Sequence, residues 1–176
     1  MGKKISKKLT GIILMLFMLG ILAGCGGSSG KSDQGKSSDE GIPVGINCEL
    51  SGNVASYGSN AKDGAMLAIE EINANGGVLG KQLKPIVKDN KSSADESMSV
   101  SAALVNEKIV AQIGPLTSGN VQGSTPVLTD NKIPLIAPAA TASNITVDEK
   151  TGQTKEYIFR VCFIDPFQGT LMAKFA

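Results

Sequence analysis

The sequence predicts an α/β fold, a doubly wound and mostly parallel sheet, over residues 42–176. Three observations predict it. Short apolar runs alternate with stretches of helical periodicity. Each helical stretch is long enough to serve as the crossover that parallel neighbours require. Pro85 falls inside one of the apolar runs, and a proline is tolerated there only on an edge strand.

Taken in order, Ile42–Cys48 (IPVGINC) reads as the first strand. Residues 60–74 read as a helix with Ala61, Ala65, Ala68, Ile69 and Ile72 on its inner stripe. Asn75-Gly76-Gly77 ends it with residues that tolerate a left-handed turn. Residues 83–88 form a second strand, with Pro85 at the edge, and Ala94–Asn106 a second helix with Met98, Ala102 and Val105 inward. Residues 109–113 are a third strand. A third helix, 120–129, is kinked or restarted at Pro126, and 133–137 and 157–162 are the fourth and fifth strands. Asp165-Pro166-Phe167-Gln168 starts a last helix, with an acid as N-cap and proline at the first helical position. That helix reaches Ala176 without a closing signal, the pattern of a chain that continues. The strand order expected is 2-1-3-4, with the fifth outermost. Ligands on such sheets bind beyond the carboxyl ends of the strands, near the point where the order reverses.

The segment before the fold reads as an address. Lys3, Lys4, Lys7 and Lys8 precede the apolar stretch 12–22, too short for a membrane span. Leu22-Ala23-Gly24-Cys25 then resembles a bacterial lipobox, whose cysteine is lipidated before cleavage. The expected divisions are a lipoprotein signal peptide at 1–24, a flexible lipid-anchored linker at 25–41 and the folded lobe at 42–176. The linker is Gly, Ser, Lys, Asp and Gln without a large apolar side chain, so it cannot bury enough surface to fold. Removing the leader takes four lysines and no acid from a chain of net charge +1, leaving it mildly acidic. That balance, with no Trp and few aromatics, argues against a nucleic-acid partner. Cys48 and Cys162 lie on strands expected to be apart in the sheet, too far for a disulfide, and read as two buried thiols.

Four loops follow the strands that face the expected site. Residues 50–58 bring Tyr57, with a flat apolar face and a hydroxyl, unless it packs beneath its own loop. Gly114 to Gly119 leads into a helix, where unpaired N–H groups and the Ser118 hydroxyl suit a carboxylate. Ser118 as a plain N-cap is the alternative. Pro138 to Ala142 offers backbone groups beside small alanines and the Thr141 hydroxyl, which with Ser118 fits an α-amino-acid head group. Asp165 reads first as a helix cap and second as a ligand group.

Catalysis finds little support. The chain has no histidine, so no Ser-His-Asp arrangement exists within it, and Cys/His spacings of the metal-binding type are missing. No cofactor is implied. Gly76-Gly77-Val78-Leu79-Gly80-Lys81 superficially looks like a phosphate loop, but it follows a helix and has Gln82 where Ser or Thr belongs.

These segments together resemble the branched-chain amino-acid binding proteins of ABC transporters, the leucine/isoleucine/valine type. The resemblance is carried by Leu50-Ser51-Gly52 through Tyr57-Gly58, Gly64-Ala65 through Asn73, Gly76 through Gly80, Ile113-Gly114-Pro115 through Ser118, Pro138 through Thr141, and Phe159-Arg160 through Gly169. It implies the N-terminal lobe of a two-lobed type I periplasmic-binding-protein fold, with the second lobe not represented in these 176 residues. It further implies that Ser118 binds the ligand carboxylate, with Thr141 and the Ala139 backbone sharing the head group. Tyr57, Leu116 and Thr117 would line the side-chain pocket, and Asp165 the cleft rim. The implied partners are an amino acid, a membrane permease and, through Cys25, the membrane itself. Ligand sensing by the same fold, or capture of amides, urea-like compounds or aromatic acids, are the alternatives the resemblance leaves open.

Overall fold

The computed structural model describes residues 41–176. The leader, Cys25 and nearly all of the linker therefore lie outside the described residues. The elements are β1 (Ile42–Cys48), α1 (Ala55–Ala74), β2 (Leu83–Asp89), α2 (Ala94–Asn106), β3 (Ala111–Ile113), α3 (Ser118–Asp130), β4 (Leu135–Ala137), a 3-10 turn (Ser143–Ile145), β5 (Ile158–Arg160) and α4 (Asp165–Phe175). All five strands are parallel, in the order β2-β1-β3-β4-β5. This is the α/β sheet that the alternating pattern predicts, with Pro85 on the edge strand opposite Val44.

Register explains the core. Central β1 pairs with β2 through Ile46↔Val87 and with β3 through Ile46↔Ile113, so both its edges are hydrogen-bonded and both its faces are covered. Val44 through Cys48 are accordingly buried. Ile46, Cys48, Ile69 and Leu116 form one apolar cluster, with Ala61, Ala65 and Met66 of α1 packed on it. Leu104, Val121, Leu128, Leu135 and Ile158 anchor the larger cluster on the other face. Each such side chain contributes roughly 1.5–3 kcal/mol by leaving water.

Several expectations need correction. α1 begins at Ala55, not residue 60, and its buried stripe runs through Met66 and Ile69, leaving Ala68 and Ile72 exposed. In α2 the inner face is Ser97, Ser101 and Leu104, while Met98 and Ala102 face solvent. Polar partners waiting in the core turn that helix, as shown below. The helix at 118–130 is one element through Pro126. Strands β3, β4 and β5 are three residues each, shorter than the apolar runs containing them. The last helix is capped by Ile164, with Asp165 as its first residue. Cys48 and Cys162 are free, as expected of strands separated in the sheet, but only Cys48 is buried and Cys162 is half-exposed.

Candidate functional site

The carboxyl ends of β1, β3 and β4 open on a cleft of about 300 Å³ lined by Val54, Tyr57, Leu116, Thr117 and Ala139. It sits where the strand order reverses, β1 leading outward to β2 on one side and β3 on the other. Four predicted site residues thus converge. Tyr57 is not beneath a loop: it stands on the first turn of α1, with 68% of its surface exposed. Leu116 shows the cleft only an edge, since it is otherwise buried in the β1–α1 cluster. Ala139 is exposed.

Ser118, Thr141 and Asp165 lie beside this cleft rather than among its lining residues. Thr117 holds the cap position of α3, so Ser118 is the first helical residue and does not cap. Its Oγ instead accepts the Ala142 N–H at 3.2 Å, tying the loop after β3 to the loop after β4. The Thr141 carbonyl accepts the Asp165 N–H at 3.0 Å, which ties the β4 loop to the start of α4. Asp165 is exposed. The β4 loop is held from below by Arg160, whose guanidinium donates to the carbonyls of Ala142 (2.7 Å) and Ala140 (3.4 Å). Those two carbonyls are therefore engaged, and Ala139 is the residue of this loop that faces the cleft.

Glu49 is the residue that the sequence reading missed. It is fully buried directly after β1. Its Oε1 accepts from the Thr117 N–H (3.0 Å), the Thr117 hydroxyl (3.0 Å), the Leu116 N–H (3.2 Å) and Asn120 Nδ2 (2.8 Å). Its Oε2 accepts from the Leu116 N–H at 3.1 Å. Every contact is a donor aimed at the carboxyl, which is what a carboxylate, an acceptor only, requires. The first turn of α3 carries no acid of its own, and Glu49 supplies one from another strand. That missing acid was the available signal. Gly58 lets this happen: a Cβ there would lie 1.9 Å from the Glu49 carbonyl oxygen.

Behind Glu49 runs a buried polar network. Asn47 Nδ2 donates to the Ser97 carbonyl, Ser101 Oγ and Ser124 Oγ, and its Oδ1 accepts from Asn90. Ser101 Oγ donates to Gln112 Oε1, and Gln112 Nε2 to the Gly114 carbonyl. These bonds explain why α2 turns Ser101 inward; Ser97 contributes its backbone carbonyl, while its own hydroxyl is buried without a partner among the described residues. The neighbouring Cys48 thiol is pushed up to about 12, chiefly by burial, with the Glu49 charge adding and Lys62 opposing. It is an inert packing group. At the solvent edge, Asp89 clamps the loop after β1, accepting from the N–H groups of Leu50, Ser51 and Lys91 and from the Ser51 hydroxyl.

This geometry can grip a small ligand by polar groups at one end and apolar walls at the other. Residues 41–176 match the family model described as periplasmic binding protein. The chain belongs to that family. Its sheet and helices are the N-terminal lobe of the type I fold. It is 34% identical to the Leu/Ile/Val-binding protein BraC3 of Rhizobium johnstonii, over 76% of this chain and 35% of that protein. Among solved structures, the branched-chain amino-acid transporter substrate-binding protein LivJ of Streptococcus pneumoniae, in complex with isoleucine, is 40% identical with a TM-score of 0.71. That match covers 77% of this chain and 38% of that one. The leucine-binding protein LivK of Thermotoga maritima is 31% identical, TM-score 0.68, over 77% of this chain and 36% of that one. The chain therefore spans little more than a third of the length of these relatives.

Proposed function

We propose that this chain supplies the first ligand-gripping lobe of an extracytoplasmic solute-binding receptor, which captures amino acids, branched-chain ones foremost, for an ABC importer. The observation that carries the reading is the cleft at the sheet's reversal point, where Val54, Tyr57 and Leu116 offer apolar walls beside Thr117. The neighbouring hydroxyls of Ser118 and Thr141 and the Ala139 backbone suit an amino-acid head group. Ser118 would hold the carboxylate, with Thr141 and the Ala139 backbone sharing the head group. Tyr57, Leu116 and Thr117 would surround the aliphatic side chain, and Asp165 would stand at the rim. The relatives' names, given above, support the ligand class. The role is binding rather than catalysis, in a chain without histidine.

Lipidation of Cys25 would anchor the receptor to the outer face of the cell membrane, where it would deliver its ligand to a permease. A sensor of the same fold is the second reading, and the lipobox-like Leu22-Ala23-Gly24-Cys25 favours the importer, because a lipid anchor carries no signal across a membrane. Calorimetric titration of the complete protein with leucine, isoleucine and valine tests the ligand. Saturable binding of at least one is expected, and failure of all the common amino acids to bind sinks the proposal. Retention of a Cys25→Ser variant in the membrane fraction would count against the anchor.

A further inference from the structure

We infer that Arg160 is a positioning residue for the ligand head group: it clamps the β4 loop so that the Ser118 hydroxyl keeps its hydrogen for the ligand. The inference rests on the amino-acid reading above and deepens it.

The β4 loop has almost no side chains with which to hold itself. Pro138, Ala139, Ala140, Thr141 and Ala142 follow the strand, and Thr141 alone carries a polar side chain. Such a segment is fixed from outside, through its backbone groups. Register places Arg160 to do this, since it ends β5 abreast of Ala137, which ends β4. From there its Nη1 donates to the Ala142 carbonyl at 2.7 Å and to the Ala140 carbonyl at 3.4 Å. The Ala142 carbonyl also accepts the Ile145 N–H, but at 3.4 Å. The short bond from the guanidinium is the stronger restraint, because its donor is charged. Arg160 is half-buried and forms no ion pair among the described residues. Its charge is directed at the carbonyls of one loop, not at a carboxylate.

What the clamp secures is the direction of one N–H. The Ala142 N–H donates to Ser118 Oγ at 3.2 Å, and the two clamped carbonyls belong to Ala142 itself and to Ala140, two residues before it. A hydroxyl has one hydrogen to give and two acceptor sites. Ala142 fills one acceptor site of Ser118, and the Ser118 hydrogen has no acceptor among the described residues. Ser118 therefore faces the site as a donor, the polarity that a ligand carboxylate, an acceptor only, requires. Ala139, in the same loop, lines the cleft. Releasing the loop would turn the hydroxyl and shift Ala139 without removing any atom that meets the ligand.

The test is a double-mutant cycle on the complete protein. It is read by calorimetry with the common amino acid that wild type binds most tightly, leucine being expected. Arg160→Met keeps the packing of the long stem and removes every donor. It should weaken binding about tenfold, near the lower end of the range for a hydrogen bond to a charged group. In a Ser118→Ala protein the same change should cost less than about threefold, because the hydroxyl that the clamp orients is already gone. Unchanged affinity in Arg160→Met overturns the inference. So does a further loss of about threefold or more in the Ser118→Ala protein, since an arginine that merely supports the fold acts with or without Ser118. If Arg160→Met does not fold, as judged by circular dichroism, Arg160→Lys, which lacks the planar fork, enters the same cycle and the same two results decide. Wild type that binds no common amino acid removes the amino-acid reading and this inference together. Wild type that binds one, with independent losses in the cycle, removes the inference alone.

Discussion

In the middle of the sheet, around β1, β3 and the start of α3, the buried residues include Asn47, Glu49, Asn90 and Gln112, each with hydrogen-bond partners. At its β5 edge, around β5 and α4, Phe159, Val161, Phe163 and Met172 are at least half exposed, and α4 buries no residue. Polar groups are inside where the cleft is, and apolar groups outside where it is not. The first region needs a fixed geometry, because a hydrogen-bonded polar core admits few alternative packings. The second leaves its apolar side chains at the surface.

Substitutions that crowd or unpair the polar region should therefore cost most. Gly58→Ala would set a methyl 1.9 Å from the Glu49 carbonyl oxygen, and backbone cannot move aside as a side chain can. A loss of about 3 kcal/mol is expected from overpacking at its upper range, measured by urea denaturation. A midpoint equal to wild type would show that α1 and β1 separate freely. Next comes Asn47→Leu, which strips the Asn90 amide of its acceptor and takes one donor from the Ser97 carbonyl and one from the Ser101 hydroxyl. It should cost about 2–3 kcal/mol, the range for stranded buried polar groups. Val161→Ser, at 76% exposure, should fall within about 0.5 kcal/mol of wild type. If Val161→Ser costs as much as Asn47→Leu, the contrast between the two regions is wrong.

The same contrast explains what sequence could reveal. Strand order followed from Pro85 and from the alternation of strand and helix, since both are local signals with a single geometric solution. The loops carrying Tyr57, Leu116, Thr117 and Ala139 followed from that order and do meet at one cleft. The inner face of α2 did not follow. Apolar periodicity favours Met98 and Ala102, whereas Ser101 is buried because its side-chain partners, Asn47 and Gln112, come from distant strands, and Ser97 beside it gives Asn47 its backbone carbonyl. Glu49 was hidden for the same reason. A glutamate beside a Leu-Ser-Gly turn reads as solvent-facing until α3, an N-terminus without an acid, is placed over it. Ser118 illustrates a subtler limit, because its hydroxyl reaches the Ala142 N–H rather than its own helix.

Ser118 also sharpens the comparison at the level of binding. Ser118→Ala should weaken amino-acid affinity by about 1.5–3 kcal/mol, the range for a hydrogen bond to a charged group. Part of that loss would come through the β4 loop, which the hydroxyl now holds. Calorimetry showing unchanged affinity would confine Ser118 to joining the two loops.

The smallest effect lies at the solvent edge of the polar region, in the Asp89 clamp. Desolvation pushes its carboxyl up. The Ser51 hydroxyl and the N–H groups of Lys91, Leu50 and Ser51 outweigh that and hold it below the usual 3.8. A carboxylate depressed on folding stabilises the fold above its unfolded value, and that contribution disappears as pH falls through the lower folded value. The clamp should thus be intact at neutral pH and lost only in acid below about pH 4. Because Asp89 lies only partly buried at the solvent edge, its share of stability is small and screened. Asp89→Asn keeps the shape but cannot lose a charge, so its stability should fall less steeply than wild type below about pH 4. Parallel curves for the two proteins would show that the clamp acts by geometry alone, as a turn rather than as a charge.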